Sequence, residues 1–178
     1  MNRYSKGRPL GPRPSICEPR AHLLKAVLAF VRAASLYPGV LRIALLGSLA
    51  TDKPIPKDAD VLVSIDAGTD LTALARIGRR LKGAGQTINL GADIFLADET
   101  DCYIGRICGY RECHLRALCR ALNCGKRQHL NDDLQIVTLD RALIALPPID
   151  LWPRIARRVA VPADVEDTLL AALEKENG

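Results

Sequence analysis

Residues 45–65 read LLGSLATDKPIPKDADVLVSI and place two acidic residues at the entrance of an apolar strand. The apolar runs on either side of the loop predict two buried β-strands, 41–47 and 59–65. Asp58 and Asp60 are two residues apart, so their side chains would point to the same side of a sheet. Adjacent carboxylates repel each other. Three arrangements usually offset that repulsion: a shared proton, a pairing with Arg or Lys, or a bound divalent cation.

A third acidic residue helps to choose between these explanations. Asp93 lies in GADIFLAD (91–98), a further predicted strand, at a position where an apolar residue would be expected. If this strand is a neighbour of strand 59–65, the three carboxylates converge. Three acids without a histidine form a hard, oxygen-rich site that suits Mg²⁺ or Mn²⁺.

The Gly-Ser turn before the loop offers groups that could bind phosphate. Gly47 allows a close backbone approach, and Ser48 offers a hydroxyl and a backbone N–H. Lys53 and Lys57 flank a loop stiffened by two prolines and could neutralise a triphosphate. Carboxylates that bind Mg²⁺ together with substrate phosphates would form a nucleotide site.

The remaining periodicities predict an α/β (α+β) fold with a mixed β-sheet of about four to five strands flanked by helices. Helical spacing begins at Pro19, a second helix is expected to be capped by Thr69, and 134–139 is a further strand candidate. Two C-terminal helices follow, in DRALIAL and VEDTLLAALEK. We expect an irregular basic arm (1–18), a core (19–150) with a Cys-rich basic insertion (99–130), and a C-terminal helical extension (151–178).

The Cys-rich segment permits two main interpretations. Its cysteines lack the CxxC spacing of a strong zinc motif. A short segment with little apolar content nevertheless needs a stabilising cross-link, such as a bound metal ion. They either hold a structural Zn²⁺ or pack as buried free thiols. The zinc ligands would be Cys108, Cys113, Cys119 and Cys124.

Positive charge is concentrated in the same segment and in residues 1–20. The chain has a net charge of +5, and local basic patches favour a polyanion such as RNA, although a solvated surface explains them equally well. The longest apolar run, residues 22–36, is interrupted by Lys25 and Arg32, so we expect a cytoplasmic protein with no membrane partner. The cationic residues of the insertion that could contact an acceptor are Arg106, Arg111, Arg116, Arg120, Lys126 and Arg127.

The sequence resembles the polymerase-β-like nucleotidyltransferases over about residues 40–97. The resemblance lies in the motif LLGS, which is followed after nine residues by DADV and then by a third acid on a later strand. The resemblance implies the nucleotidyltransferase fold and two Mg²⁺ ions held by Asp58, Asp60 and Asp93. Asp93 would lie closest to the acceptor hydroxyl. The loop departs from the family pattern by having Lys57 immediately before the first aspartate.

The resemblance implies an enzyme that transfers NMP from an NTP to a hydroxyl and releases pyrophosphate. The basic patches favour RNA as the acceptor, with a tRNA 3′ end the obvious case. Small stand-alone relatives include toxin-like enzymes, which implies an antitoxin-like protein partner. Two alternatives stay open: nucleotidylation of a small molecule or protein, and a non-catalytic RNA-binding module with a zinc-stapled insertion.

Overall fold

Seven strands, four longer helices and one 3-10 turn (Gly47–Ala50) occur in the part of the chain that the computed structural model describes, residues 18–108, 129–131 and 138–177. The helices are α1 (Glu18–Ala34), α2 (Leu71–Gln86), α3 (Arg141–Ala145) and α4, which runs through Ala163–Val165, the π-helical turn Glu166–Leu170 and Ala171–Asn177. The strands are β1 (Val40–Leu46), β2 (Asp58–Ile65), β3 (Gly91–Ala97), β4 (Tyr103–Cys108), β5 (His129–Asn131), β6 (Ile149–Trp152) and β7 (Ala156–Arg157).

All seven strands belong to one mixed sheet with the order β5-β4-β3-β2-β1-β6-β7. β2 and β3 are parallel and are joined through α2, whereas the other neighbouring strands are antiparallel. The prediction of a mixed sheet flanked by helices is therefore confirmed, but the predicted count of four to five strands was wrong. The additional strands are β4 to β7, which are short and lie towards the two edges of the sheet.

The helices cover the two faces of the sheet unequally. Alternate residues of the central strands, such as Val61, Val63 and Ile94, point into the main core with the apolar sides of α1, α2 and α4. The opposite face carries a small cluster in which Leu62 packs with Ile144 of α3. Because side chains alternate along a strand, the acidic residues of β2 and β3 lie on this less covered face.

One detail of the predicted organisation, the cap of α2, differs from the structure. The cap of α2 is Asp70, whose carboxylate accepts a hydrogen bond from the N–H of Thr72, whereas the predicted cap Thr69 donates to Asp66. The predicted boundary at residue 150 falls inside β6, and β4 lies within the segment predicted to be an insertion. Most of the strand candidate 134–139 lies outside the described residues.

Candidate functional site

The three acidic residues predicted from the sequence meet on the open face of the sheet. The parallel register aligns Asp60 with Asp93 and Asp58 with Gly91. One carboxylate oxygen from each aspartate lies within 4.8 Å of the other two, and all three residues are half-buried. β2 and β3 are therefore neighbours in the sheet, as the predicted convergence of the three carboxylates required.

Asp60 is the most perturbed of the three acids. Its pKa is raised from 3.8 to about 7, first by burial, then by the charges of Asp58 and Asp93 and by a hydrogen bond with Asp58, against an opposing effect of Arg106. Near neutral pH Asp60 therefore carries a proton for part of the time, and that proton can lie in its hydrogen bond with Asp58. Proton sharing is the first of the three arrangements that offset the repulsion.

The second arrangement, pairing with cations, occurs at Asp93. Its Oδ1 lies 3.2 Å from Nη1 of Arg106 on β4 and 3.5 Å from Nζ of Lys82 on α2. All three side chains are about three-quarters buried. Arg106 was among the predicted acceptor contacts, but Lys82 was missed because a lysine on a basic amphipathic helix gives no sequence signal of its own.

Gly47 lies directly beside Asp60. Leu46, the last residue of β1, is in register with Asp60, and Gly47 then turns the chain with φ +65°. A Cβ at this position would lie 2.9 Å from Cγ of Asp60 and closer still to Oδ2. Position 47 therefore requires glycine for two reasons: the backbone is left-handed there, and the carboxylate of Asp60 occupies the space that a side chain would fill.

The other predicted phosphate ligands border the same turn. Ser48 is half-buried, and its hydroxyl accepts a hydrogen bond from the backbone N–H of Lys57 at 3.3 Å, which brings the end of the loop back to the turn. The side chains of Lys53 and Lys57 are exposed. The structure therefore places the two lysines on the loop next to the acidic cluster without fixing them on it.

A buried arginine on α1 holds this turn in place. Arg20 on α1 is 7% exposed. Its guanidinium donates to the carbonyl oxygens of Ser48, Leu49, Thr51 and Lys53 at 2.8–3.4 Å and pairs with both carboxylate oxygens of Asp164. Arg20 belongs to the basic stretch 1–20 of the sequence, but its charge is paired inside the fold. A single arginine within a charged stretch gives no sign of this role.

The donor set fits a hard divalent cation. Oxygen ligands of an octahedral Mg²⁺ lie about 3 to 4.2 Å apart, given metal–oxygen distances of about 2.1 Å. The 4.8 Å span needs only a small rotation of the carboxylates to reach that range. Neither a protein-family model, nor a curated protein, nor a solved structure matches the chain.

Of the remaining predicted site residues, the structure describes Cys108. Cys108 ends β4, where its backbone is in register with His129. Cys102, a cysteine not assigned to the zinc set, is exposed and free. The predicted residues that lie outside the described part of the chain are Arg111, Cys113, Arg116, Cys119, Arg120, Cys124, Lys126 and Arg127. Within the described residues, no helix is long and apolar enough to span a membrane.

Proposed function

We propose that the protein is a Mg²⁺-dependent nucleotidyltransferase that transfers NMP from an NTP to a hydroxyl group of RNA, such as a tRNA 3′ end. The observation that carries the proposal is the convergence of Asp58, Asp60 and Asp93 beside the left-handed turn at Gly47. The acids supply an all-oxygen cation site, and the turn brings backbone close enough to them to share one substrate.

In this proposal the three acids share the cation, and Asp93 and Asp60 have further roles. Mg²⁺, held by the three carboxylates, would supply charge neutralisation for the attacking and leaving oxygens of an in-line displacement at the α-phosphate. Asp93, held in place by Arg106 and Lys82, would accept the proton of the acceptor hydroxyl. Asp60 must lose its shared proton before it can act as a full ligand, and its raised pKa makes that loss dependent on pH.

The other flank of the site would receive the phosphates. The backbone of Gly47 and Ser48 would lie against the β- and γ-phosphates, with the hydroxyl of Ser48 as a donor. Lys53 and Lys57 extend from the adjoining loop and would neutralise the pyrophosphate that leaves. Arg20 would act as a positioning residue, because it fixes the carbonyl groups of the turn from behind.

The proposal is tested by incubating the protein with each labelled NTP, Mg²⁺ and total tRNA. The matched variants are Asp58→Asn and Asp52→Asn, because Asp52 is an exposed aspartate of the same loop. We expect label to be transferred to RNA by the parent and by Asp52→Asn, and transfer to fall roughly a hundredfold or more in Asp58→Asn. Release of pyrophosphate should match the transfer.

The same experiment separates the alternatives. Transfer to a small-molecule or protein hydroxyl with none to RNA would keep the reaction and change the acceptor. RNA binding without any transfer, and with the same affinity in Asp58→Asn, would refute the enzyme and support a binding module. Equal transfer by both variants would show that the acidic cluster is not the reacting site.

A further inference from the structure

A groove that opens to solvent runs along the seam between α1 and α2. The two helices are antiparallel. Near the start of α1, Nε2 of His22 lies 2.9 Å from the carbonyl oxygen of Ala84 and 3.3 Å from Oγ1 of Thr87, at the end of α2. Towards the other end of the seam, Ala33 of α1 and Ile77 of α2 border the same cavity. The seam therefore extends over most of the length of both helices.

Two cavities occupy successive parts of this seam. One of about 160 Å³ lies between residues 26–33 of α1 and 77–84 of α2. The other, of about 590 Å³, is lined by residues 19–25, which precede the first set on α1, and by 87–89, which follow α2. Residues 19–33 of α1 span about 21 Å, which is the length of a helix of about 14 residues. The groove is therefore long enough for about four helical turns.

The floor of the smaller cavity is apolar. Phe30, Ile77 and Leu81 are at most 7% exposed and close it from below. Its sides include the small side chains of Ala29, which is exposed, and Ala84, which is half-buried. Apolar side chains of a helix that lies in such a groove can reach the floor, whereas a nucleic acid strand would find no hydrogen-bond partner there. The floor therefore favours a protein helix as the occupant.

The opposite side of α1 shows how acidic residues pair with this helical layer. There α4 packs against α1, and two ion pairs join them, one between Arg20 and Asp164 and one between Arg32 and Glu176. The basic residues of α1 that point towards α4 are thus matched by carboxylates of a neighbouring helix.

The cations that border the groove have no such match. Arg80 lines the smaller cavity, Lys25 lines the larger one, and Arg76 precedes Arg80 by one helical turn. All three are exposed, and none of them forms a hydrogen bond or an ion pair with any residue that the structure describes. α1 has no acidic residue after Glu18, and α2 has none at all. Both sides of the groove are therefore positively charged, and they would attract acidic side chains that flank an apolar stripe.

The charges of the remaining sequence do not complement the groove. Residues 1–17 contain four Lys or Arg and no acidic residue, and residues 109–128 contain five Lys or Arg and one acidic residue. Residues 132–137 include two aspartates, but this stretch is too short for a groove of this length. The complementary charge must therefore come from another protein.

We propose that the α1–α2 groove binds an acidic amphipathic helix of a partner protein. Its apolar side chains, at intervals of three and four residues, would enter the groove, and its Asp or Glu side chains would pair with Lys25, Arg76 and Arg80. This interaction goes beyond the proposed reaction and does not depend on it. Because α1 also carries Arg20 and α2 also carries Lys82, the partner would contact both helices that support the acidic site from the other face of the sheet.

Binding of a designed peptide to the intact protein tests the groove. The probe is a fluorescein-labelled helix of about 15 residues with leucines at intervals of three and four residues and glutamates on both sides of them. Its counterpart has lysine in place of every glutamate. Fluorescence anisotropy should show a micromolar Kd for the acidic peptide, as is typical of small transient interfaces, and no saturable binding of the basic one.

Charge reversal separates a real pairing from a general loss of structure. Arg80→Glu and Ala29→Glu should each weaken binding of the acidic peptide about tenfold or more, and circular dichroism should show that both variants are folded. The double variant Arg76→Glu, Arg80→Glu should bind the basic peptide about tenfold better than the parent does. Arg154→Glu, at an exposed arginine between β6 and β7, is the control and should bind both peptides as the parent does.

Several results would overturn the proposal. Absence of binding between the parent and the acidic peptide would do so, and so would equal affinities of the parent and folded Arg80→Glu. If a single-stranded RNA binds through Lys25 and Arg80 and the peptide does not bind, the groove serves a nucleic acid. A salt-dependent dimer in analytical ultracentrifugation that is lost in Arg80→Glu, without peptide binding by the parent, would assign the groove to a second copy of the chain.

Discussion

Replacing Gly47 by alanine tests whether the turn and the acidic cluster form one unit. Gly47 has φ +65°, and an added Cβ would lie 2.9 Å from Cγ and 3.1 Å from Cβ of Asp60. The side chain of Asp60 cannot turn away freely, because the oxygens of Asp58 and Asp93 are close on the same face. The substitution should therefore move the carboxylate and the turn apart.

The expected loss of stability has two sources. An alanine in the left-handed region costs about 1–2 kcal/mol. Displacing a half-buried carboxylate, or the backbone opposite it, costs about the same as other overpacking substitutions, roughly 1–3 kcal/mol. We expect the free energy of unfolding to fall by about 2–5 kcal/mol in total, together with a loss of divalent-cation affinity of about tenfold or more.

The measurement is urea unfolding combined with a Mn²⁺ titration of the folded protein. Gly83→Ala is the matched control, because Gly83 lies in the interior of α2 with open space around its added Cβ. Alanine there should raise stability by about 0.5–1 kcal/mol and leave Mn²⁺ affinity unchanged. A Gly47→Ala protein that loses less than about 1 kcal/mol and binds Mn²⁺ as the parent does would refute the reasoning.

Three further predictions concern different parts of the molecule. Because the pKa of Asp60 is raised from 3.8 to about 7, the folded state keeps a proton that the unfolded chain has lost, so in EDTA the free energy of unfolding should fall as the pH rises from about 4 to 7. Asp60→Asn should remove most of that slope in urea titrations, and an identical slope would contradict the assignment. Arg20→Met should destabilise the protein by about 2–4 kcal/mol in thermal unfolding, since it leaves a carboxylate and several carbonyl groups without their buried partner. Arg20→Lys, which keeps the charge, should raise KM for the NTP more than it lowers kcat, and unchanged kinetics would exclude a positioning role. Metal analysis of purified protein should find about one Zn²⁺ per chain if the Cys-rich segment is stapled; less than about half an equivalent would support the free-thiol interpretation.

The central elements could be predicted because their sequence patterns are local. β1 to β3 have long apolar runs, and α1 has apolar residues at helical spacing. Each of these elements can therefore be predicted from its own residues alone. β6, of four residues, and β7, of two, lack such a pattern. β6 is a strand because it pairs with β1, and β7 is a strand because it pairs with β6. The periodicity of a single sequence does not reveal such pairings.

The acidic site was predictable in one respect and unpredictable in another. A period of two residues on β2 and a neighbouring strand with one acid were enough to place three carboxylates together. The groups that hold the site in place were not predictable, because Lys82 reaches Asp93 and Arg20 reaches the turn from helices on the other face of the sheet. Their roles depend on close packing, such as that of Gly78 against Ile94, and this distance cannot be read from residue spacing.

The helical layer on one face of the sheet therefore determines the geometry of the site on the other face. Arg20 on α1 joins Asp164 at the start of α4 to the loop that follows Gly47, so the flank of the site beside Gly47 depends on a contact between the two ends of the described fold. Lys82 on α2 makes an ion pair with Asp93 on the other flank of the acidic cluster. A substitution that loosens α1 from α4 should therefore affect NTP binding, whereas one that moves α2 away from β3 should affect the acceptor. The two flanks should respond separately, because only the acidic cluster between them is shared.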